Sequence, residues 1–136
     1  MKILVEAHVN TSAEHAWAVY TQPQHIVNWN FASDDWCCPS ADYDVRVGGR
    51  FTSRMEAKDG SMGFDFGGSF THVVPMQALD YRMDDNREAA VRFTQQGQGV
   101  NVTVEFDAET THSAEMQRGG WQAILDNYAR YAEAQA

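Results

Sequence analysis

The chain of 136 residues has the length of one ordinary domain, and folding at that size buries roughly two-thirds of the unfolded surface. Hydrophobic residues at 43% and charged residues at 21% exclude a disordered tail, and the longest apolar runs are too short to cross a bilayer, so no membrane insertion is expected. Nineteen acidic against ten basic residues give a formal charge of -9, which repels a phosphate backbone and leaves no expected nucleic-acid partner. Cys37 and Cys38 are adjacent, so they cannot close a long loop as a fold-stapling disulfide. Glu6 and His8 interrupt the opening Met1 to Val5 before an export segment forms, and a cytoplasmic protein is expected.

Ile3, Val5, Ala7 and Val9 alternate with Leu4, Glu6, His8 and Asn10, the period of a first strand. Thr11-Ser12-Ala13-Glu14 has the spacing of a capping box, with Thr11 and Glu14 as its two partners. The helix it opens carries Ala13, Ala16, Trp17 and Tyr20 on one face. Pro23 suits the first turn of a second short helix bearing Ile26 and Trp29. From Asn30 to Ala41 no period survives, and the stretch reads as a loop or lid. Gly48-Gly49 then divides Tyr43 to Val47 from Phe51 to Ala57 as a hairpin, and Asp59-Gly60 marks the next turn.

Met62, Phe64 and Phe66 share one side of the following strand. Gly67-Gly68 inside it signals a bulge or bend, which leaves the register of Phe70 and His72 open. Alternation resumes with Leu79, Tyr81 and Met83, then Val91 and Phe93, then Val100, Val102, Val104 and Phe106, with turns at Asp84 to Arg87 and Gln96 to Gly99. The count is about seven strands, mostly an antiparallel meander. From Ser113 to Ala134 the residues Trp121, Ile124, Leu125, Tyr128 and Tyr131 recur at the spacing of a long amphipathic helix. Each of Gly119 and Gly120 weakens a helix by about 1 kcal/mol relative to alanine, so either the helix starts there or another backbone approaches closely.

Strand, two small helices, six strands and a long final helix predict a single α+β domain over residues 1–136, a curved antiparallel sheet with the last helix over its concave face. Between sheet and helix lies either a filled core or a cavity. His25-Ile26-Val27-Asn28-Trp29, Asp44 to Phe51 with Gly48-Gly49, Asp59-Gly60, Gly68-Ser69-Phe70 before Val73-Val74-Pro75, and Gly119-Gly120-Trp121 together resemble one family across nearly the whole chain. It is that of homologues of the activator of the 90-kDa heat-shock protein ATPase, in the START-like (SRPBCC) helix-grip superfamily. The resemblance implies a helix-grip fold and, from the superfamily, an apolar small molecule held between sheet and helix. Eukaryotic-type chaperone activators resemble this chain only in their C-terminal domain, so the resemblance lends a chaperone partner little support.

Phe51, Met55, Phe64, Phe66 and Phe70 on the central strands could line such a pocket, with Tyr81, Phe93, Trp121 and Leu125 completing it. The plain alternative for each is core packing, which any curved sheet requires of its inward aromatics. Trp29 and Trp36 flank the irregular segment and could gate a ligand, or Trp29 could simply anchor its helix. His8, His15, His25, His72 and His112 show no metal-binding spacing; His72 could serve as a general base if the strand keeps its register, and otherwise faces solvent. Asp34, Asp35, Asp42 and Asp44 form one acidic cluster and Asp84, Asp85 and Glu88 another, with Arg46, Arg50, Arg54, Arg82 and Arg92 as partners across strands. An arginine pointing into the cavity could hold a ligand carboxylate. Cys37 and Cys38 read as loop thiols. No phosphate loop, dinucleotide fingerprint, nucleophile elbow or zinc motif occurs, and no cofactor is expected. The function expected is binding of an apolar or amphipathic small molecule; the alternatives are an enzyme of cyclase, hydratase or isomerase type and a domain that stimulates a chaperone ATPase. A homodimer is possible.

Overall fold

The stretches of period two pair into one seven-stranded antiparallel sheet in the computed structural model, which describes residues 1–136. In chain order the elements are β1 (Lys2–Val9), α1 (Ala13–Thr21), α2 (Pro23–Ile26), β2 (Trp36–Tyr43), β3 (Arg50–Ala57), β4 (Gly63–Val74), β5 (Ala78–Met83), β6 (Glu88–Gln96), β7 (Gly99–Asp107) and α3 (Ala114–Ala134). Strands β2 to β7 form a continuous meander, and β1 joins it beside β7, giving the order β1-β7-β6-β5-β4-β3-β2. The two short helices therefore carry the chain from one edge of the sheet to the other. No helix is long and apolar enough to cross a membrane.

One face of the sheet supplies the core. Ile3, Val5 and Val9 of β1, Val91 of β6, and Val100, Val102, Val104 and Phe106 of β7 are buried with Leu125, Tyr128 and Ala132 of α3. The Trp121 ring lies flat on Phe106, with 3.9 Å between ring centroids. Tyr128 is fully buried, and its hydroxyl donates to the Ala16 carbonyl of α1 at 2.7 Å, so α3 and α1 are tied through the core.

Side chains of α3 also reach the outer edge of β1. The Gln122 amide accepts from the Glu6 backbone N–H at 3.3 Å and donates to the Glu6 carbonyl at 2.9 Å. Glu133 accepts from the Asn10 N–H at 2.8 Å.

Several sequence expectations need correction. The cap of α1 is Ser12, one residue later than Thr11: with Ala13 as the first helical residue, Ser12 takes the extended cap conformation and its Oγ accepts from His15 N–H at 3.1 Å. The third helical position is then His15, so no carboxylate closes a capping box. The stretch from Asn30 to Ala41 is not all loop, because β2 begins at Trp36. Its alternation is hidden by a register irregularity between Cys37 and Ser40, where Pro39 lies. At its other end β2 stops at Tyr43, and Asp44 to Gly49 form the turn.

The two glycines within β4 do not break register. Gly67 and Gly68 pair with Thr52 and Phe51, and the shift comes later, between Phe70 and His72. A Cβ at Gly68 would stand 2.2 Å from the Arg82 carbonyl oxygen and 3.0 Å from the Phe51 ring, so the close approach of β5 requires glycine. The turn between β3 and β4 uses Gly60 at φ +79°. Neither reading of Gly119-Gly120 holds: α3 runs straight through both, and a Cβ on either would meet nothing within 4 Å.

Candidate functional site

Between the sheet and α3 the side chains leave a cavity of about 290 Å³. Of its sixteen lining residues fourteen are hydrophobic, and the two exceptions are Asn30 and Arg87. Strands β3 and β4 contribute Phe51, Met55, Phe64, Phe66 and Phe70, β5 contributes Leu79 and Tyr81, and α3 contributes Trp121, Ile124 and Leu125. The half-exposed Phe64 and the partly exposed Phe66 and Trp121 mark where the cavity meets solvent.

Nine of the eleven residues expected to line a pocket do so: Trp29, Phe51, Met55, Phe64 and Phe66, with Phe70, Tyr81, Trp121 and Leu125. Trp36 and Phe93 do not. Trp36 opens the edge strand β2 and packs on the outer part of Phe64, 6.0 Å between centroids. Phe93 points inward but is enclosed by Trp17 and Tyr20, at 5.3 and 5.6 Å. Trp29 is no gate: it lies in the turn after α2, which ends at Ile26 rather than reaching Trp29 as expected, and it is buried with its indole N–H donating to the Val19 carbonyl at 3.0 Å, which fixes that turn to α1.

The polar atoms of the cavity come largely from residues that the sequence pattern did not single out. Asn30 Nδ2 donates to Ser53 Oγ at 3.1 Å, and the Tyr43 hydroxyl shares Ser53 Oγ at 3.0 Å. Asn30 Oδ1 has no partner in the protein, nor do the hydroxyls of Tyr20 and Tyr81, both of which line the cavity. Burial pushes the Tyr43 hydroxyl up to about 12 and raises those of Tyr20 and Tyr81 well above the ordinary value. Tyr20 and Tyr43 retain some accessible surface, and as both line the cavity that surface includes its wall. All three tyrosines are thus neutral at physiological pH and offer hydrogen bonds rather than charge.

The arginine at the cavity is Arg87, which the sequence placed in a turn. The five arginines singled out as cross-strand partners are all spent on surface carboxylates: Arg46 on Asp44, Arg50 on Asp84, Arg54 on Glu56 and Asp65, Arg82 on Glu88, and Arg92 on Asp80. Arg87 uses Nε on Asp85 at 2.8 Å and Nη1 on the Asp107 carbonyl at 3.2 Å, while Nη2 makes no hydrogen bond. Its side chain is 23% exposed.

The family profile described as Activator of Hsp90 ATPase homolog 1-like protein matches residues 10–133. The chain belongs to that family. Among solved structures it is similar to the AHSA1-like protein from Aeromonas hydrophila, with 47% identity and TM-score 0.93 over 99% of this chain and 94% of that one. A protein from Cytophaga hutchinsonii is 41% identical at TM-score 0.84, over 98% and 93%. One from Nitrosomonas europaea shares the fold at TM-score 0.86 with 17% identity, over 100% and 96%. No curated protein matches the chain.

The remaining candidates lie outside the cavity of this AHSA1-like domain. His72 is exposed, because the shift after Phe70 turns it outward, and it cannot act on a cavity ligand. His15 and His25, separated in sequence, come together with ring centroids 6.5 Å apart; each bonds to α3, through the Ala132 carbonyl and the Tyr131 hydroxyl. Cys37 and Cys38 are free thiols on β2 rather than in a loop. Burial, the larger effect, raises the Cys38 thiol. The two acidic clusters are solvated and no member is buried.

Proposed function

We propose that this AHSA1-like domain binds an apolar or amphipathic small molecule between the sheet and α3. The observation that carries the reading is the cavity itself, about 290 Å³ walled almost wholly by hydrophobic side chains, at the lower end of the roughly 300–1,000 Å³ common for small-molecule sites. A ligand entering this space would remove its apolar wall from water, at about 25 cal/mol per Å² of apolar surface covered. The aromatic walls suit a flat guest of about two fused rings or a medium-length chain.

The lining favours binding over proton-shuttling catalysis. Its polar groups are neutral tyrosines, a serine reached through Asn30 and Tyr43, and an arginine; no carboxylate or imidazole faces the space to take a proton. A chaperone ATPase as partner rests on the family's name, and an ATP turnover assay with added domain tests it. The binding reading is tested by thermal shift and native mass spectrometry against a panel of fatty acids, alcohols and fused-ring aromatics. A ligand at about 100 times its dissociation constant should add about 2.7 kcal/mol and raise the melting temperature by about 8 °C. A panel with no shift and no complex refutes it.

A further inference from the structure

The unpartnered donors of the cavity are not spread evenly over chemical types. Tyr81 is 8% exposed, lines the cavity and has a hydroxyl with no partner in the protein. Arg87 lines the same space, its Nε and Nη1 are taken, and its Nη2 is free. Tyr81 pairs with Ala89, and the Met83 N–H donates to the Arg87 carbonyl at 2.7 Å, so Tyr81 and Arg87 are diagonal neighbours on the cavity face of β5 and the lead into β6, at the spacing of about 7–8 Å that long side chains span. Arg87 is also the sole cationic side chain among the lining residues.

We propose that the ligand is an amphipathic carboxylic acid, its carboxylate held by Tyr81 Oη–H and Arg87 Nη2 and its apolar body lying along Phe51, Phe66, Trp121 and Ile124. This rests on the small-molecule reading above and adds the class of ligand. Asp85 and Glu109 are the carboxylates that oppose an anion there. Asp85 is 55% exposed and acts through solvent, and Glu109 is held away by the His112 backbone N–H, which donates to its carboxylate at 2.6 Å, and by its own backbone N–H, which donates to Gln117. The contact with Arg87 would be made inside an apolar enclosure, where charge attraction is stronger. A carboxylate accepting two charge-assisted hydrogen bonds, one from a neutral phenol and one from a cationic guanidinium, is the arrangement that such donors satisfy.

The experiment compares naphthoate, naphthylmethanol and methyl naphthoate by calorimetric titration of the full chain. Naphthoate should bind about tenfold more tightly than either neutral analogue. Tyr81→Phe removes a hydroxyl that no protein group uses, so the fold is kept; it should cut the lead of naphthoate over the two neutral analogues by about threefold or more, since a carboxylate loses a stronger hydrogen bond than an alcohol or ester does. Arg87→Gln should erase the lead. Equal affinity for the three compounds, or a lead untouched by both variants, overturns the carboxylate assignment and leaves binding in the cavity standing. If none of the three binds, the assignment falls; silence from the wider compound panel is the separate result that removes the binding reading itself.

Discussion

Raising the pH above 10 should unfold this domain cooperatively, and the tyrosines around the core set the size of the effect. Burial raises the hydroxyls of Tyr20, Tyr43, Tyr81 and Tyr128 above their ordinary value of 10.0. Below that value both folded and unfolded chains keep the proton, and stability is at its full level. Above it the unfolded chain releases protons that the folded one retains, so stability falls by about 1.36 kcal/mol per pH unit for each tyrosine until the folded group also ionises. For Tyr43 that end point is about 12. At about pH 11 the four together remove on the order of 5 kcal/mol, comparable with the entire stability of many small domains. The buried Cys38 thiol acts in the same direction, and the chain has just two lysines, Lys2 and Lys58, to confuse the titration. Tyrosinate absorbance and far-ultraviolet circular dichroism followed together supply the assay. Four tyrosines should appear as tyrosinate in one step that coincides with loss of the fold. Gradual ionisation of these tyrosines near the ordinary value, with the fold intact, would show the cavity flooded by water and refute the account of its tyrosines as enclosed neutral donors.

Gly119→Ala and Gly120→Ala should each stabilise the domain by about 0.8–1 kcal/mol, since both sit inside α3 with open space where the methyl would go; urea unfolding reads this, and a loss of stability would mean the space is not free. Ser12→Ala should cost about 1 kcal/mol while Thr11→Ala costs less than half as much, which reverses the order a capping box at Thr11 requires. Tyr128→Phe should cost about 1–3 kcal/mol by withdrawing the buried donor from the Ala16 carbonyl; an unchanged midpoint in denaturant would show that this link between α3 and α1 contributes nothing.

The fold was legible because its signals are periodic and repeated. Alternation in β1, β5, β6 and β7, the Asp59-Gly60 turn and the heptad-like spacing of α3 each specify an element locally, and together they specify the α+β helix-grip arrangement. β2 escaped because Pro39 and the irregularity between Cys37 and Ser40 remove the alternation that identifies a strand. The apolar wall of the cavity was legible for the same periodic reason, yet Phe93 shows the limit: inward orientation is written in the strand pattern, whereas what stands in front of the ring is set by Trp17 and Tyr20 on another element. Arg87 escaped for a related reason. A turn residue has no period, and its position at the cavity follows from the Asp107 carbonyl at the end of β7, 20 residues away in sequence.

An open sheet has two margins, and each is a template on which a stray chain could add itself. Here the amide of Gln122 occupies one of them as a counterfeit peptide unit at Glu6, with Glu133 closing Asn10 further along. At the other, Pro39 withholds a donor where the ladder is already broken. A domain that leaves Phe64 bare at the lip of its cavity presents a sticky ring to solvent, and the occupied positions along both margins leave fewer free backbone groups for a second chain to pair with.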